Sequence, residues 1–219
     1  EDKPLMESLC PTPHKKFIRY FSQIHGTVAN KIKYLKNPYR SAVIAHLAEG
    51  RRLDPYNSLE FELLKLIGLD LKGMNLVHAV GLSTKDYQHM GNKGMGLIWS
   101  PFSNLLLYGE TIDLMAAHNA GITIALGSDW TPTGSKSVLE EVKIARKYIR
   151  KNKLERVFND EYLYKMITEN SAKLIGHLEE DPNDGHHGIG KVAIDAVGTF
   201  IVVKESYTNP HKNLILAEA

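Results

Sequence analysis

Residues 121–136, Gly-Ile-Thr-Ile-Ala-Leu-Gly-Ser-Asp-Trp-Thr-Pro-Thr-Gly-Ser-Lys, decide how the rest of the chain is read. The run 122–126 is apolar and follows a glycine, the profile of a strand buried on both faces, and it leads straight into Gly127-Ser128-Asp129. Pro132 and Gly134 mark a turn, after which Val138, Leu139, Val142, Ile144, Ala145, Tyr148 and Ile149 recur at helical spacing across 136–151. The stretch is therefore strand, polar loop, helix. Ligands of parallel α/β proteins bind at the carboxyl ends of strands, which makes Asp129 a candidate site residue. On spacing alone, an aspartate that bonds the turn or caps the next helix is the favoured reading of Asp129.

Upstream, the same alternation repeats. Apolar positions at helical spacing (Phe17, Ile18, Phe21, Ile24, Val28, Ile32, Leu35) predict a helix over 14–36 as the first element, with no strand before Ser41. A strand over 41–47 follows, ending near His46. Asp54-Pro55-Tyr56-Asn57 reads as a turn before a helix over 59–69, and 75–78 reads as a strand ending at His78. A polar helical turn over 84–90, a strand over 96–99 closed by Ser100-Pro101, and a helix over 111–119 lead back to the strand at 122–126. Strands alternating with helices at crossover spacing predict βα units on a parallel sheet. Parallel strands one and two units apart would bring His46, His78 and Asp129 to the same rim. Two imidazoles and a carboxylate on rigid strand ends suit a mononuclear metal, although a lone histidine at a strand end is more often structural.

Composition sets the bounds. With 219 residues, 43% hydrophobic and 24% charged, the chain is long and apolar enough for a large core. Its 27 basic residues are interleaved with 25 acidic ones, so no nucleic-acid partner is expected, and the basic stretch 31–40 reads as a solvated helix face. The single cysteine, Cys10, excludes an internal disulfide and a cysteine zinc cluster and fits a reducing compartment. No apolar run approaches the ~20 residues of a membrane helix, and no secretory signal opens the chain, so no membrane partner and a cytoplasmic location are expected.

The motifs themselves are familiar. His-Leu-Ala-Glu at 46–49, Leu-Val-His at 76–78, Ser-Pro-Phe-Ser-Asn at 100–104 and Leu-Gly-Ser-Asp at 126–129, in that order, resemble the amidohydrolase superfamily, nearest its cytosine deaminase and triazine hydrolase branch. Thr168-Glu-Asn-Ser-Ala172 adds to the match, as does 188–203, which is similar to the glycine-led strands with which such chains leave the barrel for a small β-sandwich.

The resemblance implies an α/β fold, the C-terminal half of a TIM (β/α)8-like barrel over 1–187 with a C-terminal β segment over 188–219. It implies His46, His78 and Asp129 as metal ligands, with zinc the first candidate and iron the second. Glu49, His78 and Asp129 would be catalytic: Asp129 takes the proton of an activated water, Glu49 protonates the departing nitrogen, and His78 holds the oxyanion or the metal. Asn104 and Trp130 fall where this branch lines its substrate pocket, and Trp99, Phe102, Tyr108 and Trp130 near the rim favour a small ring substrate. The implied reaction is hydrolysis of a non-peptide carbon–nitrogen bond, by deamination or by opening of a cyclic amide.

One departure is large. Members of the family open with a His-x-His pair on barrel strand one, and the sequence has none; the adjacent His186-His187 lies in a glycine-rich stretch far past the strand-eight position. A chain lacking strands one to four would be a C-terminal fragment, a truncated product, or half of a two-chain assembly. It would be inactive without the missing half. A non-catalytic structural or partner-binding half-barrel is the alternative reading. A barrel cut after strand four would bare inward faces of Val43, Ile44, Ile98, Ile122 and Ile124, so the missing N-terminal half or a homo-oligomer is expected to cover them.

Overall fold

The computed structural model of the protein describes residues 19–21, 42–130 and 132–176. Five strands form one all-parallel sheet in sequential order: β1 (Arg19–Phe21), β2 (Val43–Leu47), β3 (Met74–His78), β4 (Gly96–Trp99) and β5 (Thr123–Leu126). Among the described residues seven helices follow or separate them: α1 (Pro55–Leu66), α2 (Thr84–Lys93), α3 (Pro101–Tyr108), α4 (Leu114–Asn119), α5 (Val138–Lys151), α6 (Asp160–Ile167) and α7 (Glu169–Leu174). An order that never reverses, with helices between successive strands from β2 on, is the arrangement of βα units on one parallel sheet.

The two faces differ accordingly. Val43, Ala45 and Leu47 of β2, Met74 and Leu76 of β3, Leu97 and Trp99 of β4, and Ile124 and Leu126 of β5 all lie in the main core. The alternate positions hold Ile44 and His46, then Asn75 and Val77, Gly96 and Ile98, Thr123 and Ala125, aligned by register across the sheet. Burial along β2 alternates between buried and half-buried residues, as expected of a strand with only one covered face.

Several expectations are corrected. Residues 19–21 are a strand that pairs with β2 through Arg19↔Val43, Tyr20↔Ile44 and Phe21↔Ala45, so a strand does precede Ser41. Tyr and Phe are strong β formers, and the free edge of β2 offers backbone partners that outweigh the helical spacing of the surrounding apolar residues. Asp54-Pro55 begins α1 and is not a separate turn. The Asp54 carboxylate caps the Tyr56 N–H and Pro55 takes the first helical position, where its missing N–H costs nothing. Ser100-Pro101 likewise opens α3, a helix the apolar spacing did not suggest. The helix expected over 111–119 starts at Leu114, capped by Asp113, which leaves Thr111 in the connection. Val43, Ile122 and Ile124 are buried; of the five residues expected to be bared, only Ile44 and Ile98 are half-exposed.

The end of the sheet away from the histidines is crossed by α7. Asn170 donates from Nδ2 to the Ile124 carbonyl at 2.7 Å, and Asn75 donates to the carbonyls of Leu174 at 3.0 Å and Gly73 at 3.2 Å. Gly96 stands in this crossing because a Cβ there would fall 2.1 Å from Asn75 Oδ1 and 2.3 Å from Leu174 Cδ2. No helix among the described residues is long and apolar enough to cross a membrane. Cys10, the basic stretch 31–40, the rest of the helix expected over 14–36, His186-His187 and the segment 188–219 lie outside the described residues.

Candidate metal centre

At the carboxyl end of the sheet, His46, His78 and Asp129 each offer a ligand atom, and these atoms lie within 4.8 Å of one another. Asp129 stands between the imidazoles, with Oδ1 3.9 Å from His46 Nε2 and Oδ2 3.9 Å from His78 Nε2. The two rings are 5.1 Å apart, centroid to centroid, and tilted by 43°. Glu49 joins the group from the turn after β2, with Oε1 3.4 Å from His78 Nε2.

The backbone is bent to make this cluster. His78 is the register partner of Leu47, whose side chain belongs to the helix-covered core. Regular pleating would send the His78 ring the same way. Instead φ is +69° at His78 and +53° at Ala79, which turns the ring to the rim beside His46. Ala48 (φ +52°) and Asp129 (φ +59°) adopt the same left-handed conformation at the ends of β2 and β5. Such a conformation costs a residue with a Cβ roughly 1–3 kcal/mol and persists where the surrounding structure imposes it, most often at functional sites.

The electrostatics follow from burial and neighbours. Burial pushes the Asp129 carboxyl up, but the His46 bond, the His78 ring, the Ser103 hydroxyl and the Trp130 amide outweigh it and hold the pKa at about 2. Burial pushes the His78 imidazole below its ordinary 6.5, with His46 acting the same way and Glu49, Asn104 and Asp129 opposing. A neutral imidazole beside an ionised carboxylate is the donor set a borderline cation such as zinc takes. Tyr108 donates its hydroxyl to Glu49 Oε1 at 3.1 Å; burial and then the Glu49 carboxylate push its pKa up to about 12, so it remains a donor.

His78 supplies the test of fit. Its Nδ1 is 2.8 Å from Asn104 Oδ1, while its Nε2 is buried, has no hydrogen-bond partner, and faces the oxygens of Glu49 and Asp129. A lone pair aimed at two carboxylates is unfavourable unless a cation lies between them. The 3.9 Å separations exceed the about 3.4 Å between neighbouring ligands of a tetrahedral zinc site by half an ångström, and the set as a whole, spread within 4.8 Å, would close on a cation by rotamer adjustment of the imidazoles. The residues present fit a divalent metal.

The other expected site residues are placed less uniformly. Asn104 is fully buried behind His78 and does not line an open surface. Trp130 follows Asp129 and is 66% exposed at the rim. Trp99 is buried in the core against Tyr148, ring centroids 5.8 Å apart, and is not a rim aromatic. Two residues that the sequence reading passed over also matter here. Glu141 of α5 is fully buried and accepts the Phe102 N–H of α3 at 2.8 Å, a cap delivered from another helix where Ser100 supplies none. Thr111 holds both Trp99 and Asn104. Neither lies in a motif, and each acts through partners distant in sequence.

No family model matches the sequence. Among curated proteins it is 26% identical over 153 residues to a 5-methylthioadenosine/S-adenosylhomocysteine deaminase of Thermococcus onnurineus, covering 67% of this chain and 36% of that one. The chain thus spans little more than a third of the length of this relative. Among solved structures it superimposes on a zinc-bound adenosine deaminase from Xanthomonas campestris with a TM-score of 0.59 and 18% identity, covering 68% of this chain and 36% of that one. A zinc complex of atrazine chlorohydrolase from Arthrobacter aurescens gives a TM-score of 0.59 at 20% identity, covering 81% and 40%. By its sequence relatives the chain is a relative of the deaminases of the amidohydrolase superfamily, matched over a stretch that fits their C-terminal part, and it shares an α/β fold with the solved deaminase and chlorohydrolase.

Proposed function

We propose that residues 1–187 form the C-terminal part of a (β/α)8 barrel, with a β segment over 188–219, and that this part carries half of a metal-dependent site hydrolysing a non-peptide carbon–nitrogen bond. The single observation that carries the reading is the buried, unpartnered Nε2 of His78 facing Asp129 and Glu49. The sequential sheet order and the half-exposed Ile44 and Ile98 on its helix-free face support the barrel reading.

His46, His78 and Asp129 would hold the cation, zinc first and iron second. When bound, such a cation supplies a water acidic enough to ionise near neutrality. Asp129, ionised at every working pH, accepts a proton at the oxygen turned toward the reacting water. His78 keeps its proton on Nδ1 against Asn104 and orients its open edge toward the same point. Glu49 is the group placed to carry a proton from the reacting water to the departing nitrogen, which leaves as ammonia: Tyr108 and His78 fix its Oε1, and Oε2 remains for the substrate. The exposed Trp130 beside Asp129 offers a stacking face for a planar ring. The substrate class is a ring carrying an exocyclic amine, as in the nucleosides after which the Thermococcus relative is named.

Further ligands, a His-x-His pair in the family, would come from a segment or chain beyond these residues, so the chain alone is expected to bind metal weakly and deaminate slowly. Zinc competition against a chelating dye tests the site directly. One zinc per chain, lost in His46→Ala and Asp129→Ala, supports it; no uptake at millimolar zinc overturns it. Ammonia release from 5-methylthioadenosine, with and without a supplied N-terminal half of a relative, then checks the reaction. Turnover by the chain alone that survives Asp129→Ala would refute the mechanism.

A further inference from the structure

Behind His78, away from the cation position, three buried side chains form a hydrogen-bonded chain. The indole N–H of Trp99 donates to Thr111 Oγ1 at 2.7 Å, Asn104 Nδ2 donates to the same oxygen at 3.1 Å, and Asn104 Oδ1 meets His78 Nδ1 at 2.8 Å. Trp99, Asn104 and His78 are fully buried and Thr111 nearly so, which leaves no water to replace any of these bonds. Each group comes from a different part of the fold: the end of β4, the connection before α4, α3 and the end of β3.

The direction of the chain decides what His78 can do. An indole nitrogen only donates, so one lone pair of Thr111 Oγ1 is taken by Trp99. In this structure the other takes the amide NH2 of Asn104, which turns the amide oxygen toward His78; only a Thr111 hydroxyl turned to donate its O–H to the amide oxygen would reverse it. An oxygen there can only accept, so the imidazole proton sits on Nδ1 and Nε2 presents a lone pair. The competing arrangement turns the Asn104 amide over. Its NH2 would donate to Nδ1, the imidazole proton would move to Nε2, and that N–H would point at Glu49 Oε1, 3.4 Å away, where it blocks a cation.

We propose that Thr111 is a positioning residue of this site: its hydroxyl oxygen selects the amide orientation of Asn104 under which His78 offers Nε2 to a divalent cation. The inference rests on the metal-binding reading above and deepens it.

Two-bond 1H–15N correlation spectra of the 15N-histidine-labelled, metal-free chain report the tautomer of His78 directly. The wild type is expected to carry its proton on Nδ1. Thr111→Val keeps the shape but removes the acceptor; it should shift His78 toward the Nε2–H tautomer and weaken zinc affinity 10–100-fold in chelator competition. Thr111→Ser should restore both. Asn104→Asp, which can only accept, should hold the proton on Nδ1 even in combination with Thr111→Val. Thr111→Ala gives the same readout should the valine variant fail to fold. An Nε2–H tautomer in the wild type, or an Nδ1–H tautomer and an affinity unchanged within twofold in the acceptor-less variants, overturns the proposal. If the wild type takes up no zinc, the functional reading fails, and the tautomer comparison still decides the role of Thr111.

Discussion

Asn75 and His78 stand three residues apart on one strand, both buried, and they are treated in opposite ways. The Asn75 amide group donates twice, to Gly73 and Leu174, at the end of the sheet sealed by α7. His78 is satisfied on one edge only, and the other is left facing acids at the open rim. Around Asn75 the glycine at 96 makes room and the strand is regular; around His78 the backbone is held left-handed at two consecutive residues. A buried polar group whose partners are complete stabilises a fold. One whose partners are withheld, at an energetic cost, marks the place where something else is meant to bind.

Three experiments break or sharpen that contrast. The largest effect is expected from Asn75→Ala, which strands the Leu174 carbonyl, leaves the Gly73 carbonyl with the Val43 N–H alone, and opens a gap beside Gly96. Urea denaturation should show a loss of about 3 kcal/mol with zinc affinity unchanged. An equal loss of zinc affinity would erase the division between the two ends.

Next is Glu141, whose carboxyl is raised above its ordinary 4.5 by burial, the Phe102 and Ser135 bonds opposing and the charges of Asp129 and Glu140 adding. A group whose folded pKa is raised contributes stability that is complete below the unfolded value and is lost as pH rises through the folded one. Wild-type stability should therefore fall with rising pH above 4.5 relative to Glu141→Gln, in which an uncharged amide keeps the acceptor for Phe102. Parallel stability curves for the two proteins would show that this buried group, like Asn75, is complete in either state.

The smallest effect belongs to Ala48→Gly. Removing the Cβ at φ +52° should leave stability unchanged or raise it by up to about 1 kcal/mol, because relief of strain offsets the added freedom of the unfolded chain. A clear loss of stability would mean that the rim is not strained there.

The sequence made the rim more legible than the floor. His46, His78 and Asp129 end strands at crossover spacing, and spacing alone was enough to bring them to one end, because parallel strands translate sequence interval into position. Helix starts that rest on one residue pair, Asp54-Pro55 and Ser100-Pro101, read ambiguously because proline marks turns and first helical positions alike. β1 was hidden since Arg19, Tyr20 and Phe21 sit inside a longer helical periodicity, and only the edge of β2 reveals their state. Thr111, Glu141 and Asn75 carry no local signal at all; their partners are fixed by tertiary approach.

The Asn75–Leu174 bond, spanning 99 positions, also sets an order of events. The strand pairings of this sheet all join neighbours in sequence, so β2 to β5 can pair as they leave the ribosome. The floor cannot. Until residue 174 has been made and α7 has swung under β3 and β4, the Asn75 amide lacks its distant acceptor and the ends of those strands stay open. Nascent chains halted before α7 should consequently be recognised by chaperones and cleaved by proteases that ignore chains halted after it, a kinetic checkpoint written into a single buried amide.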